Sequence, residues 1–330
     1  MTKQPAIKDL RQENKFLQIL KKPGIAPFIA LTLLFIVSSV LSPAIFPTAK
    51  NITNIFKQAS IVGVVSIGMT VVLLVGGIDL SVSYVMALSA CLFARVSQNM
   101  MKAGNDGLAL GLILAILLVG ALVGFVNGSL IVLRNVEPFI ITLGVGQVLK
   151  GITYLYTNGA PGGKVTTFWK AFGSELFLGF IPYTVILYAV LMAIFIFILH
   201  RTVLGRRIYA VGSNNEAARL SGINVKWVKI IAYVLCGVTA AIAGIMLASR
   251  VRVGEPNGSS GYDMDAIAAV VIGGTAMSGG KGHLACTLAG VLIMTIMNNI
   301  LNLIGADPNL QMLIKGVVIL VAVLIQRQDD

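Results

Sequence analysis

Long apolar runs alternate with short polar segments along nearly the whole chain. A helix needs about 20 mostly apolar residues to cross the hydrocarbon core of a bilayer, so each long run is a candidate membrane span. The pattern predicts an all-α integral membrane protein of about ten transmembrane helices, of which the eighth is short and runs into glycines. The predicted spans are 27–45, 52–75, 80–96, 108–133, 139–156, 181–200, 227–249, 264–272, 284–304 and 310–325.

Composition agrees with a membrane protein. Apolar residues make up 57% of the 330-residue chain and charged residues only 12%. Soluble domains carry about 25% charged residues, which coat their surface. This chain has too few charges for such a coat.

The distribution of basic residues predicts how the chain lies in the membrane. A net charge of +12 could indicate nucleic-acid binding. The Lys and Arg residues instead cluster in an N-terminal tail (1–25) and a mid-chain loop (201–226), as the positive-inside rule describes. With both termini in the cytoplasm, the inside segments hold roughly twice as many basic residues as the outside ones. We therefore expect no nucleic-acid partner, a cytoplasmic tail (1–25) and a transmembrane domain (26–330).

The two halves of the chain share an internal repeat. The segment Val75–Ser81 (VGGIDLS) aligns with Ile272–Ser278 (IGGTAMS), and each lies between two apolar runs. Two further matches follow in the same order, 126–128 with 297–299 and 137–139 with 307–309. Glycine-interrupted segments in corresponding halves are typical of transporters whose broken helices line a path.

Several polar or glycine residues inside the apolar runs are candidates for that path. They are Gly76, Gly77, Asp79, Gly273, Gly274 and Lys150. A lysine at the centre of a span costs about 3 kcal/mol, so Lys150 either lines a path or serves a structural role by snorkelling or hydrogen bonding. Asp79 either lines the path or forms, with Ser81, an N-cap of the third span.

The chain offers no constellation for catalysis, metal binding or nucleotide binding. The glycine-rich stretch 274–282 lacks P-loop spacing, because Thr275 stands where a glycine is required and Gly282 replaces the hydroxyl residue. The cysteines (Cys91, Cys236, Cys286) and histidines (His200, His283) have no metal-ligand spacing. We predict no enzyme activity and no cofactor in this chain, so any ATPase is a separate protein.

The loop 201–226 contains a short predicted helix outside the membrane. Asn214 is a good N-cap, Glu216 is an acid in the first turn, and Gly222 is a good C-terminal stop. These signals predict a helix over 215–221. Its apolar residues available for docking are Ala217, Ala218 and Leu220. Such a helix is either a docking element or a plain linker between two spans.

Three segments resemble the permease subunits of ATP-binding-cassette (ABC) importers for ribose and other simple sugars. They are 216–225 (EAARLSGINV), 68–81 (GMTVVLLVGGIDLS) and 265–282. The resemblance covers the chain from about Gln58 onward. One departure is Ser83-Tyr84, where a small glycine is expected.

This resemblance implies a multi-pass permease of the bacterial inner membrane that forms a homodimer with a second copy of itself, or a pseudo-dimer. A separate ATPase subunit would bind ATP and Mg²⁺, and a soluble binding protein would deliver a monosaccharide, with ribose as the first candidate. The helix that couples to the ATPase would comprise Asn214, Asn215, Glu216, Ala217, Ala218, Arg219, Leu220 and Gly222. The alternative is an ion-coupled secondary sugar transporter, for which Asp79 is the only buried acid that the sequence offers.

Overall fold

The structure is a computed structural model that describes residues 26–107 and 109–326, so the tail 1–25 lies outside the described residues. Within this part of the chain there are thirteen α-helices and one two-stranded antiparallel hairpin. The helices before the hairpin are α1 (Ala26–Leu41), α2 (Ala49–Leu74), α3 (Val82–Lys102), α4 (Leu110–Arg134), α5 (Pro138–Thr157) and α6 (Thr167–Ser174). The hairpin comprises β1 (Leu176–Phe177) and β2 (Ile181–Pro182). The helices after it are α7 (Tyr183–Arg201), α8 (Val203–Ser213), α9 (Asn215–Leu220), α10 (Val225–Val251), α11 (Tyr262–Ile272), α12 (Leu284–Leu303) and α13 (Pro308–Gln326).

The predicted apolar runs all form helices. Of the described helices, α2, α4, α5, α7, α10 and α12 are long and apolar enough to cross a membrane, and α1 and α13 are shorter apolar helices. The eleven residues of α11 extend only about 16 Å at 1.5 Å per residue, roughly half of a bilayer core. The chain is an all-helical, multi-pass membrane protein.

Helix α10 lies at the centre of the bundle and packs closely against α4. The contact uses three glycines of α4 at four-residue spacing, Gly120, Gly124 and Gly128. A Cβ on Gly124 would lie 2.2 Å from the carbonyl oxygen of Tyr233. Small residues at this spacing let the backbones of two membrane helices come into close contact. Such close packing stabilises helix association in lipid, where the hydrophobic effect does not drive helices together.

The outer helices present apolar side chains to the surroundings. Leu118 of α4 is 69% exposed and Leu155 of α5 is 83% exposed, whereas most of α2 is buried. Continuous exposed apolar faces are suited to lipid or to a partner helix.

The two glycine segments of the repeat break the helices that precede them. Helix α2 ends at Leu74 and α11 ends at Ile272. Gly76 (φ +73°) and Gly274 (φ +84°) both adopt the left-handed conformation that glycine alone enters without steric cost. The chain therefore turns within the Gly-Gly pair of each half, one alignment position later in the second half.

Candidate functional site

The segment between α7 and α10 folds into two short helices. Thr202 caps α8 by accepting a 3.3 Å hydrogen bond from the amide of Gly205. Asn214 caps α9, and its Oδ1 accepts hydrogen bonds from the amides of Glu216 and Ala217, both at 2.9 Å. The predicted N-cap is confirmed. We call α8 and α9 together the coupling segment.

The prediction that Gly222 stops α9 is also confirmed, although the last helical residue is Leu220 rather than Ser221. Gly222 has φ +78°, and its amide donates to the carbonyl oxygen of Arg219 at 3.0 Å. The amide of Ile223 donates to the carbonyl oxygen of Ala218 at 3.0 Å. This pair of bonds is a Schellman motif, which satisfies the last carbonyls of the helix.

The surface of α9 carries two exposed apolar side chains, Ala217 and Leu220, and one ion pair. Leu220 is 78% exposed, whereas Ala218 is 4% exposed and packs inward. The expectation that Ala218 is available for docking is therefore wrong. Arg219 binds Glu216 through two contacts, Nη2 to Oε1 at 2.5 Å and Nε to Oε2 at 3.0 Å. Its hydrogen bonds lower the pKa of the Glu216 carboxyl.

The C-terminal end of α8 contacts both glycine breaks. The amide of Gly280 donates to the carbonyl oxygen of Leu74 at 3.0 Å. A Cβ on Gly212 would lie 1.7 Å from that oxygen and 2.5 Å from the Gly280 nitrogen. A Cβ on Gly279 would lie 2.9 Å from the nitrogen of Gly76. We call these residues, Leu74, Gly76, Gly212, Gly279 and Gly280, the glycine joint.

A side-chain contact strengthens the link between the coupling segment and the second break. The hydroxyl of Tyr209 in α8 donates to the carbonyl oxygen of Gly282 at 3.0 Å. The other predicted glycines have packing roles, because Gly77 lies against Tyr233 and Gly273 lies against the backbone of Thr287. The sequence singled out the broken helices but not their contact with Gly212, which no local pattern indicates.

Asp79 is buried in a small polar cluster. Its Oδ1 accepts from the amide of Ser81 at 2.9 Å and from the Ser81 hydroxyl at 2.6 Å. Asn127 of α4 donates to the Ser81 hydroxyl at 2.8 Å. Ser81 is the N-cap residue of α3, as one of the two interpretations predicted, but its side chain makes no capping hydrogen bond to that helix. Asp79 instead fixes the turn ahead of α3 and ties it to α4.

Lys150 lies apart from the glycine joint. It borders a cavity of about 250 Å³ between α3, α5 and the segment 256–264. The lining residues are Ser83, Tyr84, Ala87, Lys150, Thr153, Tyr154, Pro256, Asn257, Ser259, Ser260, Gly261, Asp263 and Met264. The predicted path residues are thus divided between two places.

The expectation that Asp79 is the only buried acid is wrong, because Asp265 is also buried. Asp265 of α11 lies 3.1 Å from the amine of Lys315 in α13, and Asn298 of α12 donates to the same carboxylate at 3.2 Å. The pair was missed because its members lie 50 residues apart. The cluster joins three helices of the second half.

The two histidines, far apart in sequence, meet in the structure. The rings of His200 and His283 stack with centroids 4.4 Å apart, and Tyr209 stacks on His200 at 6.1 Å. Across the described residues, no three His, Cys, Asp or Glu side chains form a candidate metal site.

A helical bundle with two glycine-broken helices, a polar cavity between helices and a capped helix at one end defines a membrane transport protein. The family described as branched-chain amino acid transport system, permease component, matches residues 51–323. The chain belongs to this family.

Individual relatives match over nearly their whole length. The ribose import permease of Escherichia coli (strain K12) is 42% identical over 306 residues, covering 92% of this chain and 93% of the relative. The ribose import permease of Bacillus subtilis (strain 168) is 43% identical over 317 residues, covering 94% of each. The D-allose transport system permease of Escherichia coli (strain K12) is 35% identical, covering 91% and 90%. No solved structure gave a significant match.

These relatives confirm the resemblance to sugar-import permeases. The chain is a transport subunit rather than an enzyme. The ion-coupled alternative receives no support from the family or from the relatives.

Proposed function

We propose that this chain carries a monosaccharide, with ribose as the first candidate, across the bacterial inner membrane as the permease of an ABC importer. ATP and Mg²⁺ bind a separate ATPase subunit, and a soluble binding protein delivers the sugar. The observation that carries this proposal is the coupling segment. Its helix α9 is exposed and capped, and it directly follows α8 in the chain. Helix α8 in turn contacts the end of α2 and the glycine turn 273–283.

The proposed coupling path runs from α9 to the spans. The ATPase binds the surface around Asn214, Asn215, Glu216, Ala217, Arg219, Leu220 and Gly222, with Ala218 supporting it from inside. ATPase closure displaces α9 and α8 as one body. The glycine joint passes this displacement to α2 and to the turn 273–283, because backbone atoms are in contact there with no side chain between them.

Ten spans with both termini in the cytoplasm form part of the proposal. Loops assigned to the outside contact one another, since Gly162 and Gly254 exchange backbone hydrogen bonds of 2.9 and 3.0 Å. Loops assigned to the inside also meet, at the glycine joint and at the Tyr209 contact with Gly282. These two sets of contacts support alternation of the connections between the membrane faces.

The internal repeat and the homodimer are further parts of the proposal. The repeat is supported by a left-handed glycine in each Gly-Gly pair, Gly76 in the first half and Gly274 in the second, one alignment position apart. The second permease copy follows from the resemblance to sugar importers, and the exposed apolar faces of α4 and α5 suit a partner helix or lipid.

The substrate proposal rests on the relatives, whose names include ribose import and D-allose transport. We would measure uptake of labelled ribose into vesicles that contain this chain, its ATPase and its binding protein. Uptake that requires ATP and survives ionophores supports the proposal. Uptake that ignores ATP and stops when ion gradients collapse overturns it.

A charge substitution tests the assigned docking surface. We expect Glu216→Lys to abolish uptake and to loosen the ATPase, while membrane insertion stays normal. The control is the exchange Glu216→Arg with Arg219→Glu, which retains an ion pair. An exposed ion pair contributes little to stability, so the exchange should insert normally and still lose the ATPase. Normal uptake by Glu216→Lys would refute the docking assignment.

A further inference from the structure

The cavity beside Lys150 brings together polar groups that are far apart in the sequence. Two phenol groups face it from different helices, Tyr84 of α3 and Tyr154 of α5. Lys150 contributes an amine, Asp263 of α11 a carboxylate and Asn257 an amide. Donors and acceptors thus border one space from three sides.

Several of these groups are held in place by neighbours. The hydroxyl of Tyr154 donates to Oδ1 of Asn257 at 2.5 Å. The hydroxyl of Ser259 donates to the carbonyl oxygen of Ser83 at 2.7 Å, which fixes the segment 256–264 against the first turn of α3. A site whose groups are positioned before binding loses less entropy when the ligand arrives.

Charge and size indicate the class of ligand. One amine and one carboxylate border the cavity, so neither an anion nor a cation is favoured, and the remaining polar groups are hydroxyls and amides. Hydroxyl-rich neutral molecules use such mixed donors and acceptors, and the ring of a tyrosine offers an apolar face. The cavity volume of about 250 Å³ lies below the roughly 300–1,000 Å³ that is typical of sites for drug-sized ligands. The cavity therefore suits a smaller molecule.

We propose that this cavity is a monosaccharide-binding station inside the permease itself. The inference rests on the proposed function, and it adds a binding site on this chain to the site on the soluble binding protein. Tyr154, Asn257 and Asp263 bind hydroxyl groups of the sugar. Lys150, whose amine lies 5.9 Å from the Tyr154 ring centre, closes one side.

Protection of a cysteine against a thiol reagent tests the station. Ser260 borders the cavity and is exposed, so Ser260→Cys provides the reporter. Cys91 and Cys236 are buried, and the partly exposed Cys286 is replaced by serine. The complete transporter is labelled with a methanethiosulfonate reagent, with or without ribose, D-allose or D-fructose, and with sucrose as an oversized control.

At least one monosaccharide should slow labelling of Ser260→Cys at least threefold, and sucrose should not. The control reporter is Ala103→Cys, an exposed position at the end of α3 and outside the cavity lining, whose labelling rate should not respond to sugar. In the Ser260→Cys background, Tyr154→Phe should weaken protection at least fivefold. Tyr156→Phe is its matched control, because Tyr156 lies on the same helix but outside the cavity lining.

The outcomes separate this inference from the proposed function. If uptake is ATP-driven but no monosaccharide protects Ser260→Cys, the station is refuted and the importer stands. Equal protection in Tyr154→Phe and Tyr156→Phe would also refute it. If sugar protects the cavity but uptake does not depend on ATP, the station stands and the proposed function fails.

Discussion

The amide of Gly280 donates a 3.0 Å hydrogen bond to the carbonyl oxygen of Leu74, the last residue of α2. This bond joins the break of the first half to the glycine turn of the second half. Gly212 of α8 lies against both partners. The coupling segment therefore contacts the two halves at one point.

Gly212→Ala should uncouple the transporter. Its Cβ would lie 1.7 Å from the Leu74 oxygen, which is backbone and cannot rotate away, so α8 must separate from α2. We expect at least a tenfold loss of uptake with normal insertion, measured in vesicles. Gly111→Ala is the control, because its Cβ would meet nothing within 4 Å. Wild-type uptake in Gly212→Ala would contradict the role of the glycine joint.

Asn214→Ala should loosen α9 without unfolding the bundle. It removes the acceptor for the amides of Glu216 and Ala217 and costs about 1 kcal/mol of local helix stability. Hydrogen exchange at these amides should accelerate about fivefold, and ATPase binding should weaken. Asn214→Asp keeps the acceptor and should retain slow exchange. Exchange that is unchanged in the alanine variant would refute this role of the cap.

The charge on Glu216 should persist in mildly acidic solution. Hydrogen bonds from Arg219 lower its pKa below the ordinary 4.5. A lowered pKa means that the stabilisation from the pair is present above the ordinary value and is lost as the pH falls through the lowered one. A titration followed by the carboxyl ¹³C shift of labelled Glu216 should therefore have its midpoint below 4.5. Arg219→Gln should move the midpoint upward, and an unchanged midpoint would contradict this account.

The ion pair between Asp265 and Lys315 should behave as a coupled unit. Lys315→Met leaves the Asp265 carboxylate without its charged partner, and we expect the free energy of unfolding to fall by about 3 kcal/mol. Adding Asp265→Asn removes the unpaired charge and should recover most of the loss. Denaturant unfolding in detergent measures both. A double variant as unstable as the sum of the single variants would exclude the coupling.

Local signals in the sequence predicted the membrane helices and the short helix α9 well. Long apolar runs identify spans because backbone N–H and C=O groups in lipid must form hydrogen bonds within the protein, which a helix provides. Asn214 and Gly222 define the ends of α9 because capping depends on neighbouring residues alone. Helix α8 was missed, since the sequence at 203–213 contains neither a long apolar run nor a strong stop signal.

Contacts between distant segments could not be predicted in the same way. Tyr84, Tyr154 and Asp263 meet at the cavity only because three helices pack together. Lys150 was identified because a lysine inside a span has an energetic cost, which depends on that one position. Its neighbours at the cavity were not identified, because they come from distant segments. Ala218 was misassigned because six residues of helix carry too little periodicity to identify the buried face.

The glycine joint has a consequence for timing. Because one end of α8 contacts both the end of α2 and the turn 273–283, a displacement of α8 in the proposed coupling path reaches both halves of the permease together. In the proposed coupling path, the two halves therefore switch in a single concerted step.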